Sequence, residues 1–318
     1  MTPQGLAAMA SMLVLGIFLG RQSMSSRPDS PQHTFRRALA DAGVSTQGNH
    51  IPTHHQGFYM PKESSLFYNM AVSTGTDKVS NKPHHHAYEF LYSKYFETMH
   101  RRSATQKLLE IGLGCTMGYG PGASSKLWRM FLPDAEVWQA EYNAACVKET
   151  QAKLDEVGVK VVTGDQSDTT VLHRWIKETG GDFDVIIDDG GHTNMQMYNS
   201  FIVLFEHALK AGGVYIIEDI GMSRTYVDGD RNHIAIDWIK EWLDMTVMHN
   251  PVEPAEEGHA FVKHFGLPRH IKSIECSTGI CAFTKCRLSD DRCANQYADH
   301  SLISYSDSGT ALATAGKK

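Results

Sequence analysis

Two acidic pairs in this chain each end an apolar run. FDVIIDDGGH (183–192) leads into Asp188, Asp189, two glycines and His192, and VYIIEDI (214–220) leads into Glu218 and Asp219. Asp189, Glu218 and Asp219 supply hard carboxylate oxygens, the ligand type that Mg²⁺ or a similar divalent cation prefers. Three carboxylates gathered without a cation would repel one another and raise their own pKa values, and a bound ion removes that cost. Such an ion can also hold substrate oxygens and make a hydroxyl more acidic. His192 then suits the role of general base, because histidine titrates near neutrality. The structural alternative is that Asp188 and Asp189 cap the following helix and His192 lies on the surface. Two acidic pairs ending neighbouring strands favour the cation site.

A second set of residues suggests a nucleoside cofactor. KLLEIGLG (107–114) ends in Glu110, Gly112 and Gly114, and AEVWQAEYN (135–143) ends near Glu141. Glycines let the backbone approach a ligand, and an acidic residue after the second strand can take both ribose hydroxyls. Asp165 and Gln166 end the third strand, and Asp188 ends the fourth, so all are candidate cofactor contacts. Dinucleotide enzymes share this pattern, but the next glycine after Gly114 is Gly118, which breaks the strict G-x-G-x-x-G spacing. Glu110 would also repel a pyrophosphate and would tolerate an ammonium group. S-adenosylmethionine therefore fits better than a nicotinamide dinucleotide. The bland alternative is a glycine turn that only packs a helix on a strand.

These residues need a frame that brings strand ends together. Apolar, β-branched runs at 107–114, 135–143, 159–168, 183–189 and 214–220 alternate with helical spacing at 86–100, 124–132, 144–158, 169–180 and 197–213. That alternation predicts an α/β fold: a doubly wound, mostly parallel, Rossmann-like sheet covered on both faces. In such sheets ligands bind beyond the carboxyl ends of the strands, where every candidate above sits.

The matching stretches GTDK (75–78), HAY (86–88), LLEIGLG (108–114), SKLWRMFLPDAEVWQAE (125–141), GDQSD (164–168), FDVIIDDGGH and LKAGGVYIIEDI (209–220) cover about 145 residues in order. On them the chain resembles the metal-dependent macrocin and mycinamicin-type sugar O-methyltransferases, within the class I S-adenosylmethionine-dependent methyltransferases. The resemblance implies Mg²⁺ on Asp189, Glu218 and Asp219, His192 as base, and a small-molecule or glycoside acceptor. The chain departs from the pattern in a longer glycine loop, GLGCTMGYGPGASS, in Glu141 where Asp is common, and in DDGGH for DDGSH. Residues 221–287 do not align and are expected to form the substrate lid. The related cephalosporin-hydroxylase-like branch shares the acidic triad, so the fold alone does not fix the reaction. Two rivals from other classes stay open: a catalytically silent, membrane-tethered binding protein that keeps the fold, and a nicotinamide oxidoreductase.

The rest of the chain sets boundaries. Its 318 residues are 42% hydrophobic and 21% charged, an ordinary globular composition, and the net charge of −6 gives no reason to expect nucleic acid as a partner. GLAAMASMLVLGIFLG (5–20) is uncharged and is followed by Arg21, Arg27, Arg36 and Arg37. It reads as a single-pass anchor or, if cleaved, a signal segment for the secretory pathway. Basic residues after it favour a cytosolic main domain. Residues 21–60 read as a linker, 61–287 as the methyltransferase domain and 288–318 as a polar, disordered tail. Cys115 and Cys146 are expected in the core. Cys276, Cys281, Cys286 and Cys293 crowd together and read either as two disulfides of an oxidising compartment or as free thiols. His84–His86 opens a helix, which favours a cofactor-site or packing role for His86 and Tyr88 over a metal tract. Asp77 and Lys78 are candidates for closing the cofactor site, with no role assigned by sequence. Trp238 and Trp242, at helical spacing, read as packing. The sequence is silent on oligomeric state.

Overall fold

Seven strands form one sheet in the order β3-β2-β1-β4-β5-β7-β6. They are β1 (Lys107–Ile111), β2 (Glu136–Glu141), β3 (Val159–Thr163), β4 (Phe183–Asp188), β5 (Leu209–Ile217), β6 (Ile271–Ser277) and β7 (Ile280–Lys285). The first five run parallel. β7 pairs antiparallel with β5 and with β6. In this computed structural model residues 65–100, 106–225, 233–247, 265, 268 and 270–287 are described. They all belong to the second of two units, Pro52–Lys318. The apolar stretch 5–20, the linker 21–60 and the tail 288–318 lie outside the described residues. Among the described residues no helix is long and apolar enough to cross a membrane.

The helices are α1 (Leu66–Thr74), α2 (Glu89–His100), α3 (Ala123–Phe131), α4 (Ala144–Glu156), α5 (Thr169–Thr179), α6 (Asn194–His207) and α7 (Ala235–Val247). Four of them start on side-chain caps that satisfy otherwise unpaired amides. Ser65 accepts from Tyr68, Asn143 from Ala145 and Cys146, Asp168 from Thr170, and Thr193 from Gln196 in a capping box. Thr193, not Asp188 or Asp189, therefore caps the helix after β4, and the structural alternative for that acidic pair falls.

Both faces of the sheet are covered, as the near-continuous apolar strands require. Phe67 of α1, Tyr92 and Phe96 of α2, and Trp128 and Phe131 of α3 pack ring on ring. Elsewhere Phe201 of α6 meets Trp238 and Trp242 of α7 and Phe283 of β7. Both tryptophans are fully buried, so they are packing residues, as expected.

Three boundaries differ from the sequence expectation. The helix expected from 86 begins at Glu89, because residues 86–88 run beside 77–78: His86 N–H donates to the Asp77 carbonyl (2.8 Å) and Tyr88 N–H to that of Lys78 (3.2 Å). The helix expected over 197–213 spans 194–207, and its supposed Gly-Gly stop is already strand. Phe183 pairs with Leu209 but Val185 with Val214, so β5 bulges between them. A Cβ on Gly213 would press on the Asp184 carbonyl at 3.0 Å, so the glycine serves close strand approach and not a helix cap. Finally, the 221–287 region is not wholly a lid: α7 packs in the core, and β6 and β7 extend the sheet.

Candidate active site

The order of the parallel strands reverses between β1 and β4, and at that switch point lies a cavity of about 520 Å³. Gly112, Gly114, Glu141, Gln166, Asp189, His192, Glu218 and Asp219 all line it. The strand ends thus bring together eight of the eleven residues singled out from sequence.

The β1–β3 side is built on backbone hydrogen bonds. Gly112 has a φ of +102°, and a Cβ there would collide with the Asp189 carbonyl oxygen. Only glycine lets β1 turn this close to the end of β4. Glu141 takes one backbone N–H on each oxygen, from Leu113 (3.0 Å) and Asn143 (2.8 Å), which leaves lone pairs for a diol at the cavity wall. The Gln166 amide donates to Asp188 (2.8 Å) while its carbonyl accepts from Gly191 (3.0 Å), tying the end of β3 to that of β4.

Three expected cofactor contacts are turned away from the cavity. Glu110 is fully buried and accepts from Ser124 (2.7 Å), Trp128 (2.8 Å) and Gln139. Asp165 accepts from the backbone and hydroxyl of Ser167, both at 2.8 Å. Asp188 is buried and accepts from Gln166, Ser200 and, at 3.1 Å, Tyr215. The reason for the last is strand geometry: successive side chains face opposite ways, so Asp188 enters the core and Asp189 the cavity. Burial pushes the pKa of Asp188 up, against the hydrogen bonds from Ser200 and Gln166. Burial likewise raises Glu110, against the pull of Lys78.

The β4–β5 side concentrates charge. Asp219 Oδ2 lies 3.4 Å and Asp189 Oδ1 3.9 Å from His192 Nε2. Tyr88 donates to Asp219 Oδ1 (2.6 Å), and His86 Nδ1 lies 3.5 Å from the same oxygen. Both His192 (φ +56°) and Asp219 (φ +52°) hold left-handed backbone, which costs on the order of 1 kcal/mol for each non-glycine residue. The expected metal trio does not gather as one group. Asp189, His192 and Asp219 offer ligand atoms within 4.8 Å of one another, and Glu110, Asp189 and Glu218 form a separate, deeper set.

Lys78 explains the division, and sequence reasoning gave it no role. Its Nζ donates to Asp189 Oδ2 (2.5 Å) and Glu218 Oε1 (2.7 Å) and lies 3.3 Å from Glu110 Oε1. Burial opposes its charge, but Asp189, Glu218 and Glu110 outweigh that and hold its pKa well above the lysine value. Glu218 also accepts from the buried Tyr92 hydroxyl. Burial and the Asp189 charge push the Glu218 pKa up, against the pull of Lys78. GTDK was the available signal: a lysine fixed beside a site rich in acids.

Of the cysteines, Cys115 and Cys146 differ from expectation, whereas the later cluster takes the disulfide reading. Cys115, one residue past Gly114, and Cys146, in the first turn of α4, are half-buried and form a disulfide with Cα atoms 6.1 Å apart. They face each other across strand ends and are not core residues. Cys276 and Cys281 are paired neighbours in the β6–β7 hairpin and form a second disulfide. Cys286 is disulfide-bonded too, to a partner outside the described residues.

No family profile matches the chain. A 133-residue stretch is 33% identical to mycinamicin VI 2''-O-methyltransferase of Micromonospora griseorubida, covering 41% of this chain and 30% of that one. Demethylmacrocin O-methyltransferase of Streptomyces fradiae is 32% identical, with the same 41% and 30% coverage. A longer match, 29% identical over 199 residues, covers 59% of this chain and 47% of 8-demethyl-8-alpha-L-rhamnosyl tetracenomycin-C 2'-O-methyltransferase of Streptomyces olivaceus. The match thus spans less than half the length of each of these relatives. Among solved structures, MycE methyltransferase from the mycinamycin biosynthetic pathway, in complex with Mg, SAH and mycinamycin VI, superposes with a TM-score of 0.55. Its identity is 22%, over 70% of this chain and 55% of that one.

The fold is that of a class I methyltransferase.

The cavity fits the cofactor of that fold. Gly112 lets the loop after β1 reach the end of β4 at the cavity wall, and Glu141 offers two acceptors where a ribose would lie. The outer carboxylates, Asp189 and Asp219, fit a divalent cation, with His192 beside them.

Proposed function

We propose that the chain is an S-adenosylmethionine-dependent O-methyltransferase that acts, with a divalent cation such as Mg²⁺, on a hydroxyl of a sugar, glycoside or similar polyol. The observation that carries this reading is one cavity with a glycine cradle and Glu141 on one side and Asp189, Asp219 and His192 on the other. Similarity to sugar O-methyltransferases supports the reaction class and the acceptor class.

Bound here, S-adenosylmethionine would supply an electrophilic methyl group and the divalent ion would acidify the acceptor hydroxyl. Gly112 and Gly114 bring backbone against the cofactor, Glu141 holds its ribose, and Gln166 fixes the wall between the two halves. Asp189 and Asp219 hold the ion, with Glu218 behind them. His192 Nε2 would take the proton of the acceptor hydroxyl and leave its oxygen nucleophilic. Much of the rate enhancement would come from holding donor and acceptor in line. Glu110, Asp165 and Asp188 serve as supports of the cavity wall.

The disulfides Cys115–Cys146 and Cys276–Cys281, with Cys286 disulfide-bonded as well, support placing the domain in an oxidising compartment. Residues 5–20 supply an apolar segment for membrane attachment or secretion, a role that rests on sequence alone.

The test is methyl transfer by the full chain to a panel of glycosides, with Mg²⁺ and with EDTA. Turnover that needs the ion and is lost in Asp189→Ala, with cofactor binding kept, agrees with the proposal. Full activity in EDTA contradicts the role of the ion, and reduction of a nicotinamide cofactor in place of methyl transfer contradicts the reaction.

A further inference from the structure

We propose that Tyr119 recognises the methyl donor by its charge: its ring is the surface for the positive sulfur of S-adenosylmethionine and separates that ligand from the neutral thioether left after transfer. The inference rests on the preceding reading for the methyl donor alone and is independent of the metal and the acceptor.

Tyr119 belongs to the stretch where this chain departs from the family pattern, the longer loop GLGCTMGYGPGASS. The loop folds back on itself. Met117 N–H donates to the Gly114 carbonyl (3.1 Å), Gly120 N–H to that of Met117 (2.9 Å) and Gly122 N–H to that of Leu113 (2.9 Å). The disulfide Cys115–Cys146 ties the same loop to α4. The ring is brought over the turn after β1: a Cβ on Gly114 would lie 3.8 Å from Tyr119 Cε2. At its far end the hydroxyl hydrogen-bonds to Asp77 of the GTDK segment. Burial and the Asp77 charge push the pKa of that hydroxyl up, so it keeps its proton and donates to Asp77. Asp189 is near enough to act on it electrostatically as well. Tyr119 and Asp77 both line the cavity. The ring therefore spans from the glycine turn of one half of the cavity to the border of the other.

The ring is also uncommitted. Tyr119 is 44% exposed. Among the described residues no second ring stacks on it, and the lysines that stand over aromatic rings take Tyr95, Phe183, Trp138 and Phe205. An open tyrosine face attracts a cation through the negative face of its π-system. Methyl transfer needs the sulfur at the border of the two halves, because a methyl donor on one side must reach an oxygen on the other. S-adenosylmethionine and S-adenosylhomocysteine differ only in the methyl group and the charge on that sulfur. A ring at the border acts on this difference: it holds the sulfonium and has no charge to hold once the methyl has left.

The experiment is calorimetric titration of S-adenosylmethionine and, separately, of S-adenosylhomocysteine into the full chain and its variants, with circular dichroism to confirm folding. Tyr119→Leu keeps an apolar side chain and removes the ring. It weakens S-adenosylmethionine by about fivefold to thirtyfold and S-adenosylhomocysteine by no more than about twofold. Tyr119→Phe keeps the ring and loses only the tie to Asp77, so the ratio of the two affinities stays within about threefold of the wild-type ratio. Equal weakening of both ligands in Tyr119→Leu would overturn the inference, since the ring would then be packing alone, and so would unchanged affinity for both. If Tyr119→Leu does not fold, Tyr119→Phe decides: a ratio that moves beyond that range places the recognition in the hydroxyl and overturns the role of the ring. A wild type that binds neither ligand overturns the methyltransferase reading itself, an outcome distinct from these.

Discussion

Across the cavity, the strand ends on the β1–β3 side carry one lining carboxylate, Glu141, and those on the β4–β5 side carry three: Asp189, Glu218 and Asp219. Glu141 is satisfied by two backbone amides, held by the local turn of its own strand and by the glycine loop. The three acids opposite are satisfied by side chains brought from far away in sequence: Lys78, Tyr88 and Tyr92. One side is assembled by backbone geometry and is electrically quiet. The other is assembled by tertiary packing and stores charge and left-handed backbone at His192 and Asp219. Under the proposed function, a site for a fixed cofactor and a site for a metal with a changing acceptor would make these different demands.

The contrast can be broken from either side. The largest effect is expected at His192. His192→Ala should lower methyl transfer by about 10²- to 10⁴-fold while S-adenosylmethionine affinity stays near the wild-type value, read by single-turnover rates and calorimetry. Equal losses in binding and rate would show that the two sides are not separable. Next comes the cystine that joins the glycine loop to α4. Cys115→Ser with Cys146→Ser opens a loop with a sequence separation of 31 and should cost roughly 3–4 kcal/mol in urea denaturation. It should also weaken cofactor binding, because Cys115 lines the cavity. Glu141→Ala comes third. It leaves the Leu113 and Asn143 amides without their acceptor, at about 1–3 kcal/mol, and should weaken S-adenosylmethionine without changing Mn²⁺ affinity. The smallest effect is Ser200→Ala, about 0.5–1.5 kcal/mol of stability from one lost hydrogen bond to Asp188, with Mn²⁺ affinity unchanged. A loss of metal binding there would mean that Asp188 and Asp189 act together.

The same contrast explains what the sequence could reveal. The β1–β3 side was legible because its determinants are local: a glycine at a fixed offset from a strand and an acid at the next strand's end. The acidic pair after β5 was legible as a charged strand end, but its division was not, since Lys78 lies 140 residues from Glu218. Asp188 and Asp189 are identical residues side by side, and only the pleat of β4 sends one into the core and the other into the cavity. Cys115–Cys146 was missed because each cysteine sits just past a strand end, where an apolar pattern resembles core. The β6–β7 hairpin was missed because β6, IKSIECS, is an edge strand with one wet face, and its pattern is too polar to stand out.

The central claim is that this cavity binds S-adenosylmethionine on its β1–β3 side independently of the cation on its β4–β5 side. The direct measurement is calorimetric titration of S-adenosylmethionine into the full chain, once with Mg²⁺ and once with EDTA, with NADH titrated in parallel. The account predicts S-adenosylmethionine binding in both conditions and none of NADH. Failure to bind S-adenosylmethionine in either condition, or binding of NADH in its place, would contradict it.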